Sequence, residues 1–380
     1  MYDAVIAGGG PAGSRVAALL APGHDVLVLE DHKVSGLPVQ CAGLVTDDVI
    51  KLSGVRPDIF STIHGAEVFF PGGSSVTVRS KEPKARTIDR HQLDSMMADA
   101  AVDAGAEYSY GESYRSHSVS DHVSVDTSSR SIGCRLLIGA EGHTSNIADS
   151  LGSNAPTEYL RGIQADVRMR PEHDDLFRAH LGSEWAPGFF TWEIPCGDYV
   201  RVGLCTSWSA GPPMPYLRKL LRSIGAEDRV MSMHCGKIPL GPRPRMYGER
   251  CMIVGDAAAQ VKPVSGGGLF PGLSAAGMLS DVASGALEDN DLSARRLSEY
   301  QKRFQHAFGR ELKRGYSLRR MLLRMDDGDL DAAGAFASRD DIRSLLDDIE
   351  IDRPSEVFVG MLRRPRAAMA AIPLALRCLF

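Results

Sequence analysis

The chain has few of the features that mark nucleic-acid-binding, disulfide-bonded or membrane-spanning proteins. Its 380 residues carry a formal net charge of −5, which disfavours a general nucleic-acid binder because such proteins need a basic surface. The seven cysteines include no CxxC pair, a pattern that favours reduced thiols over a disulfide framework or a zinc ribbon. The sequence contains no HExxH or other metal-ligand spacing, so no metal site is predicted. It also has no Ser-His-Asp pattern of a nucleophilic hydrolase.

Long hydrophobic runs are also absent. The longest nearly apolar stretch, Ala367 to Leu376, is about half the length of a membrane span and contains Pro373. No signal-peptide pattern precedes the first predicted strand. We therefore expect a cytoplasmic protein, with peripheral contact at the inner face of the membrane left open.

What the chain does contain is enough apolar material for a large core. Hydrophobic residues make up 43% and charged residues 24%, as in a folded globular protein. A chain of this length predicts two closely packed domains or one large α/β unit with an inserted layer.

The N-terminus predicts a strand, a glycine-rich turn and a helix. Tyr2 to Ala7 is a short apolar run typical of a buried parallel strand. Gly8, Gly10 and Gly13 then occupy the positions of a G-x-G-x-x-G fingerprint, which allows a tight turn and close approach of the backbone to a pyrophosphate. Ser14 to Leu20 predicts a helix whose N-terminal amides would hold the phosphates.

A second strand and an acidic residue complete this pattern. Asp25 to Leu29 predicts the strand, and Glu30 follows it about 20 residues beyond the glycines. A carboxylate at that position accepts the ribose hydroxyls of a dinucleotide. Isolated glycines are weak evidence, but this ordered combination predicts a dinucleotide site.

A later stretch repeats the strand-turn-helix arrangement without a second fingerprint. Cys251 to Val254 predicts a strand, Gly255 and Asp256 end it, and Gly266 to Gly268 open a helix rich in small residues. An acid at a strand end suits a polyol hydroxyl, and a glycine-opened helix start suits negative charge.

Two further elements lie between these glycine turns. The stretch from Arg135 to Gly152 begins with a predicted strand, and this strand leads into Glu141 and Gly142. Arg90 lies just before an amphipathic helix predicted for His91 to Ala104.

These motifs resemble those of the FAD-dependent p-hydroxybenzoate hydroxylase-like superfamily. Its marks are the N-terminal glycine fingerprint, an A-D-G-x-x-S element and a late G-D followed by proline, which correspond here to Gly8–Gly13, residues 140–145 and Gly255-Asp256 with Pro263. Glu141 replaces the usual Asp. The resemblance implies that FAD is the cofactor and that Arg90 contacts it. Because only one dinucleotide fingerprint is visible, an unidentified external electron donor would have to dock on the surface or visit the flavin transiently.

Within this superfamily the chain resembles the geranylgeranyl reductase family. The segment from Gly36 to Val45 is similar to that family's G-x-P-x-x-C-[AG] motif, which implies that Cys41 and Ala42 lie near the flavin. The segment from Gly188 to Cys205 is similar to the family's Y-x-W-x-F-P…G-x-G motif of the substrate cavity. Phe190, Ile194 and Cys205 replace the family's Tyr, Phe and second Gly, whereas Trp192, Pro195 and Gly203 match.

The resemblance implies an enzyme that saturates double bonds of geranylgeranyl or other polyprenyl chains, with archaeal ether lipids as substrates. Reduced FAD would supply a hydride and an acid or ordered water would supply a proton, with Cys41 as the candidate catalytic residue. A small buried cysteine is the alternative for Cys41, and ordinary sheet packing is the alternative for the aromatic strand, which we expect Pro195 to end.

The predicted site therefore has two parts. The cofactor-binding residues are Gly8, Gly10, Pro11, Ala12, Gly13, Glu30, Cys41, Ala42, Arg90, Glu141, Gly255, Asp256, Gly266, Gly267 and Gly268. The substrate residues are Phe190, Trp192, Ile194, Pro195 and Gly203.

The C-terminal region alternates in charge. Arg295 to Arg324 holds ten basic residues and two acids at helical spacing, Asp326 to Asp352 holds ten acids and two arginines, and the tail from Met361 to Phe380 holds four arginines and no acid. Either the oppositely charged helices complement each other, or the basic helix and tail approach anionic lipid headgroups.

We therefore predict an α/β fold. A Rossmann-like FAD-binding domain (residues 1–155 and 236–295) is interleaved with an antiparallel-sheet substrate domain (156–235, joined by part of 55–90), and residues 296–380 form a helical region.

Two other functions remain open. A flavin-dependent monooxygenase or halogenase of the same superfamily is one, although a halogenase needs a lysine, for which only Lys81 and Lys84 lie in a suitable region. A non-catalytic prenyl-chain carrier resembling the GDP-dissociation inhibitors is the other, and the intact glycine motifs disfavour it.

Overall fold

The structure is a computed structural model that describes residues 1–241, 243–347 and 350–352. The strands of the described residues, in chain order, are β1 (Tyr2–Ala7), β2 (Val26–Glu30), β3 (Leu44–Val45), β4 (Ile59–Ile63), β5 (Gly65–Phe69), β6 (Ser75–Arg79), β7 (Ala85–Ile88), β8 (Glu107–Tyr110), β9 (Tyr114–Val119), β10 (Val123–Thr127), β11 (Ser131–Gly139), β12 (Glu158–Val167), β13 (Leu176–His180), β14 (Thr191–Cys196), β15 (Tyr199–Ser207), β16 (Val230–Leu240), β17 (Tyr247–Gly248) and β18 (Cys251–Ile253). The helices are α1 (Pro11–Leu20), α2 (Asp47–Ser53), α3 (Arg90–Asp103), α4 (Asn146–Ser150), α5 (Met214–Ser223), α6 (Leu269–Glu288), α7 (Ala294–Leu322), α8 (Asp327–Ala337) and α9 (Asp340–Leu346).

The first sheet carries the N-terminal glycine turn. Its main path runs in the order β17-β18-β11-β1-β2-β8, and the ladders from β18 to β8 are parallel. The strands at its centre are apolar on both faces, because apolar residues of α1, α6 and α7 cover them in one core. In a parallel sheet, the carboxyl ends of neighbouring strands meet at one edge, so β1, β2 and β18 deliver their following turns to the same place.

The predicted boundaries of these elements are close to those observed. The strand predicted for Tyr2–Ala7 is confirmed, and β2 is shifted by one residue from its predicted position. Helix α1 begins at Pro11 rather than Ser14, since proline is favoured in the first turn. Helix α3 begins at Arg90 because the side chain of Asp89 accepts hydrogen bonds from the first free amides.

The second sheet carries the aromatic segment. Its order is β16-β12-β15-β14-β13-β5-β6, and it is antiparallel except for the β13–β5 pair. Helix α5 covers one face through an apolar cluster with β12 and β15. Strand β16 runs through residues 235 and 236, where the sequence predicts a domain boundary, and β5 and β6 bring residues 65–79 into this sheet. A small third sheet has the order β3-β7-β4, and its strands β4 and β7 contact β14 of the second sheet.

The C-terminal helices connect the two sheets. Tyr300 and Phe304 of α7 belong to the core of the first sheet, and Arg319 near its other end forms an ion pair with Glu158 of β12. Residues 353–380, including the whole predicted C-terminal tail from Met361 and Cys378 within it, lie outside the described residues. Among the helices of the described part of the chain, none combines the length and apolarity that crossing a bilayer requires.

The predicted α/β fold with parallel and antiparallel sheets and C-terminal helices is confirmed. The expectation that Pro195 ends its strand is wrong, because β14 continues through Pro195 to Cys196. Among the described strands, Pro195 is paired only with Val200 of β15. One side of β14 is therefore an open edge at this point, where a proline can be accommodated without losing a ladder hydrogen bond.

Candidate functional site

A large cavity lies between the two sheets. Its volume is about 1160 Å³, above the roughly 300–1,000 Å³ of a typical small-molecule pocket. Residues of both the glycine turns and the aromatic segment line it. The cavity therefore has room for a dinucleotide and a second ligand side by side.

Most of the predicted site residues reach this cavity. Those that line it are Gly8, Gly10, Pro11, Ala12, Glu30, Cys41, Ala42, Arg90, Glu141, Gly255, Asp256, Gly266, Gly267, Gly268, Phe190, Trp192 and Ile194. Gly13, Pro195 and Gly203 do not line it.

The N-terminal turn has the close contacts that its glycines predict. Gly8 has a positive φ of 108°, and a Cβ on Gly13 would lie 1.9 Å from the carbonyl oxygen of Gly8, so only glycine fits there. Gly10 is different, since it lines the cavity and a Cβ at this residue would meet no atom within 4 Å. The turn therefore offers open space beside the first amides of α1, as a bound pyrophosphate requires.

Glu30 lies at the end of β2 with its carboxylate oriented by the backbone. Its Oε2 accepts a hydrogen bond from the Gly9 N–H at 2.8 Å, and its Oε1 accepts one from the His32 N–H at 2.9 Å. Burial and the neighbouring Asp31 raise the pKa of Glu30, while the hydrogen bonds from His32 and Gly9 oppose the shift. The sequence predicts the carboxylate but misses His32, whose ring Nδ1 lies 2.7 Å from Glu30.

Glu30, Asp31 and His32 also form the group of possible metal ligands found among the described residues. Their donor atoms lie within 4.8 Å of one another, and Asp31 and His32 are exposed. Exposed acidic groups of this kind are common without a metal, and the absence of a metal site stays a prediction.

The late strand-turn-helix element lies at the same edge of the sheet. Gly255 has a positive φ of 70°, and Gly268 precedes the 20 residues of α6, which confirms the helix predicted after Gly266–Gly268. Asp256 is partly exposed to the cavity, and a Cβ on Gly268 would lie 3.0 Å from its Oδ1. Burial raises the pKa of Asp256 to about 6, with Arg90 opposing the shift. Its carboxylate therefore lies beside the start of the helix.

Glu141 lines the cavity, but its carboxylate already accepts hydrogen bonds from the loop that follows it. Its Oε2 accepts hydrogen bonds from the Ser145 hydroxyl at 2.6 Å and from the Ile147 N–H at 3.2 Å, which stabilises the start of α4. Burial raises the pKa of the Glu141 carboxyl, and these hydrogen bonds oppose the shift.

Arg90 is buried and paired within its helix. Its Nη2 lies 2.9 Å from Asp94 Oδ1, one helical turn later. Burial of the guanidinium favours its neutral form, but Asp94 and Cys41 outweigh that effect and raise the pKa of Arg90. The sequence misses Asp94, although the i, i+4 spacing of the two residues could have indicated the pair.

The loop that carries Cys41 is held by polar side chains of the second sheet. Gln164 of β12 donates to the Cys41 carbonyl at 2.9 Å, and Arg201 of β15 donates to the Ala42 carbonyl at 2.8 Å. The Cys41 side chain is partly exposed to the cavity, and its Sγ accepts a hydrogen bond from Gly43 at 3.5 Å. The sequence misses both clamping residues, because their contacts join residues 123 and 159 positions apart in the chain.

Aromatic rings form one wall of the cavity, which we call the aromatic wall. The Phe190 ring stacks on Phe189 with centroids 4.2 Å apart and makes edge contacts with Phe177 and Trp192 at 6.3 and 6.5 Å. A Cβ on Gly203 would lie 2.6 Å from the Trp192 indole, so the glycine lets the ring lie against β15. Phe177 is a further wall residue that the sequence does not identify.

Pro195 differs from its predicted role as a substrate residue. It is buried in β14 between Ile194, which lines the cavity, and Cys196. Since successive strand residues point to opposite faces, Trp192 and Ile194 face the cavity and Pro195 does not.

One cation in the cavity was not predicted. Lys262 lies between Asp256 and Gly266, and its Nζ is 2.6 Å from Asp352 Oδ1 and 3.0 Å from the Ile351 carbonyl. Ile351 also lines the cavity, which brings the C-terminal segment to the late glycine turn. The separation of about 90 residues in sequence explains why no local pattern indicates this contact.

The two lysines considered for a halogenase differ in position. Lys84 lines the cavity, whereas Lys81 is exposed and lies outside its lining.

Comparison with known proteins relates the chain to flavoproteins and prenyl reductases. Residues 3–339 match the family model described as lycopene cyclase protein. The chain is 30% identical over 380 residues to digeranylgeranylglycerophospholipid reductase 2 of Methanothermobacter thermautotrophicus. The aligned region covers 95% of this chain and 98% of that protein.

Solved structures show the same fold. A geranylgeranyl bacteriochlorophyll reductase-like protein from Thermoplasma acidophilum superposes with a TM-score of 0.86 at 20% identity, covering 98% of this chain and 99% of that one. A halogenase crystallised with FAD superposes with a TM-score of 0.67 at 16% identity, covering 95% of this chain and 85% of that one.

Proposed function

This chain belongs to the digeranylgeranylglycerophospholipid reductase family, and on that premise we propose that it is an FAD-dependent oxidoreductase that saturates C=C bonds of geranylgeranyl and related polyprenyl chains. Its role is in the synthesis of archaeal ether lipids. The observation that carries the proposal is one cavity with dinucleotide-binding turns on one side and an aromatic wall on the other.

The described residues fit FAD. The amides at the start of α1 would hold the pyrophosphate in the space beside Gly10, and Glu30 would accept ribose hydroxyls. Asp256 would accept a ribityl hydroxyl, and the backbone of Gly266 to Gly268 would lie against the flavin ring.

The aromatic wall suits a long hydrocarbon. Phe177, Phe189, Phe190 and Trp192 present ring faces and edges to the cavity, and burial of apolar chain against them is favourable by about 25 cal/mol per Å². The wall offers few polar groups, which favours a substrate recognised by its apolar chain.

The reaction divides between the cofactor and this chain's own side chains. FAD, when bound in its reduced form, supplies the hydride for one carbon of the double bond. Cys41 lies in the same cavity and is proposed to hold or position the proton for the other carbon. Gln164 and Arg201 fix the Cys41 loop, and the aromatic wall orients the alkene and excludes water.

Electrons would reach the site from an external donor, because the chain has only one dinucleotide fingerprint. The lipid substrate would be met at a membrane surface. Helix α7 carries exposed basic residues for such peripheral contact: Arg295, Lys302, Arg303, Arg310, Lys313, Arg314 and Arg320.

The decisive experiment is anaerobic incubation of the chemically reduced protein with geranylgeranyl glycerophospholipids, followed by mass spectrometry. We expect products that are heavier in increments of two hydrogens, and none with the oxidised protein as the control. A flavin-loaded, reduced protein that leaves every lipid unchanged would defeat the proposal.

A halogenase or monooxygenase is the second candidate, supported by Lys84 in the cavity lining and by the structural similarity to a halogenase. These reactions require oxygen, whereas hydrogenation of an alkene does not. Product formation that appears only in air would favour the second candidate.

A further inference from the structure

Lys262 is a buried cation that the proposed reaction does not yet use. Its side chain is only 8% exposed, and the ammonium hydrogen-bonds to the Asp352 carboxylate and the Ile351 carbonyl. A lysine ammonium carries three donors, and these two contacts account for two of them. Burying a charge of this kind is unfavourable unless an anion accompanies it.

The backbone of Lys262 is part of the late glycine turn. Its N–H donates to the Gly267 carbonyl at 3.1 Å, and its carbonyl accepts from the Gly266 N–H at 2.9 Å. A Cβ on Gly267 would lie 2.8 Å from Lys262 Cε and 3.2 Å from Nζ, so the ammonium lies directly over this turn. The Ser265 hydroxyl, in the same turn, is buried with no hydrogen-bond partner in the described structure.

Positive charge therefore accumulates at one place. The start of the 20-residue helix α6 carries a partial positive charge, and the Lys262 ammonium adds a full one beside it. In the structure the compensating anion is Asp352, whose other oxygen accepts a hydrogen bond from the Thr46 hydroxyl at 2.5 Å. Thr46 caps α2, so Asp352 connects the late turn to the start of that helix.

From this arrangement, and resting on the proposed binding of FAD, we infer that Lys262 stabilises the negative charge of the reduced flavin and that Asp352 regulates this effect by competing for the ammonium. Lys262 acts directly on the cofactor. Asp352 acts through Lys262 and is a positioning residue.

The inference has a thermodynamic consequence in each direction. If Asp352 withdraws the Lys262 charge from the flavin, then a negative charge on the flavin must also weaken the hold of Lys262 on Asp352, because coupling between two sites is reciprocal. Reduction of the flavin would thus loosen residues 350–352 from the cavity, and oxidation would tighten them.

The test is an anaerobic spectroelectrochemical titration of the flavin-loaded full chain. Lys262→Met should make reduction less favourable by about tenfold, which corresponds to a midpoint potential about 30 mV lower for a two-electron couple. Asp352→Asn should raise the potential instead, because the amide competes less strongly for the ammonium. In the double variant the Asp352→Asn effect should disappear, and Lys262→Arg should retain most of the wild-type potential.

A matched control separates this local effect from a general change of charge. Lys219→Met removes the same charge from an exposed ion pair with Glu184, outside the cavity lining, and should leave the potential unchanged. Thermal melting and FAD affinity of each variant report whether the fold is retained.

The inference is overturned if the potentials of Lys262→Met and Asp352→Asn equal that of the wild type, or if both shift in the same direction. Should Lys262→Met fail to fold, the midpoint potential of Asp352→Asn decides alone. A potential lower than or equal to that of the wild type would overturn the inference. A wild-type protein that retains no flavin would overturn the proposed function as well, whereas a flavoprotein that reduces lipids without these shifts would overturn the inference alone.

Discussion

At the scale of single residues, Cys41 combines a partly exposed thiol with a backbone that is held in place. Its thiol is partly exposed to the cavity, while Gln164 and Arg201 hold the carbonyls of Cys41 and Ala42 from the second sheet. Clamping of this kind matters for catalysis because a proton donor must be held within hydrogen-bond reach of its acceptor.

We predict that Cys41→Ala binds FAD normally but turns over polyprenyl substrate about 10²-fold more slowly, the lower end of the range for removal of a general acid. The measurement is flavin reoxidation by substrate under anaerobic conditions. Cys134→Ala, which alters a buried cysteine of β11 outside the cavity lining, serves as the control and should keep the wild-type rate. Equal rates for both variants would show that Cys41 contributes only packing.

The raised pKa of Asp256 should make the stability of the folded protein depend on pH. Burial raises its pKa from 3.8 to about 6, so the folded state binds this proton more tightly than the unfolded chain does. Its contribution to the free energy of unfolding is therefore fully present below about pH 4 and is lost as the pH rises through about 6. Because the side chain keeps some access to cavity water, we expect a loss of about 1–2 kcal/mol.

The measurement is urea unfolding of the flavin-free protein at a series of pH values, with Asp256→Asn as the comparison. Glu30 and Glu141 also have raised pKa values and remain in both proteins, so the difference between the two curves isolates Asp256. Parallel curves would contradict the assigned shift.

At the scale of elements, the two glycine turns follow from the parallel sheet that carries them. Strands β1 and β18 flank β11 and end at one edge, so turns separated by about 250 residues in sequence face the same cavity. Their glycines do different work, since Gly13 is required by the packing of the turn and Gly10 by the space in front of it.

This difference yields a paired prediction. Gly10→Ala should melt at the wild-type temperature without cofactor, because its methyl group meets no protein atom, yet bind FAD at least about tenfold more weakly, a change of about 1.4 kcal/mol. Gly277→Ala, in open space on α6, is the control and should leave the FAD affinity unchanged, with a slightly higher melting temperature because alanine is the better helix former. Isothermal titration with FAD measures the effect, and undiminished affinity of Gly10→Ala would place the pyrophosphate elsewhere.

Local signals explain which elements were predictable. The glycine spacing, the apolar runs and the cap at Asp89 act within a few residues, so the sequence predicts β1, α3 and α6 closely. The continuation of β14 through Pro195 was not predictable, because it depends on which side of the strand lacks a partner.

At the scale of the whole molecule, α7 joins the two sheets and exposes a basic surface. Its Tyr300 and Phe304 pack in the core of the first sheet, and its buried Arg319 pairs with Glu158 of β12. The acids of the following segment contact the second sheet, since Asp327 accepts from Ser183 and Asp331 accepts from Gly72. These contacts leave many of the α7 cations exposed for another partner.

We predict that the protein sediments with vesicles containing anionic lipids, and less so as the salt concentration rises. Replacement of Arg310, Lys313 and Arg320 by Glu should weaken binding about 10²-fold, since each basic residue near such a surface contributes about 1 kcal/mol. The same change at Lys51, Arg56 and Lys81, which are exposed elsewhere, is the control for net charge. Equal losses in the two triple variants would argue against a specific role for α7.

By itself, the sequence determined both glycine turns, the acids at the strand ends and the aromatic strand, because each depends on spacing within one element. The fold class followed from the family that these motifs resemble. Only the tertiary structure decided that Gln164 and Arg201 clamp the Cys41 loop, that Phe177 completes the aromatic wall, and that Asp352 pairs with Lys262. These contacts join residues far apart in the chain, and no local periodicity records them. Their geometry follows from how the two sheets pack around a common cavity.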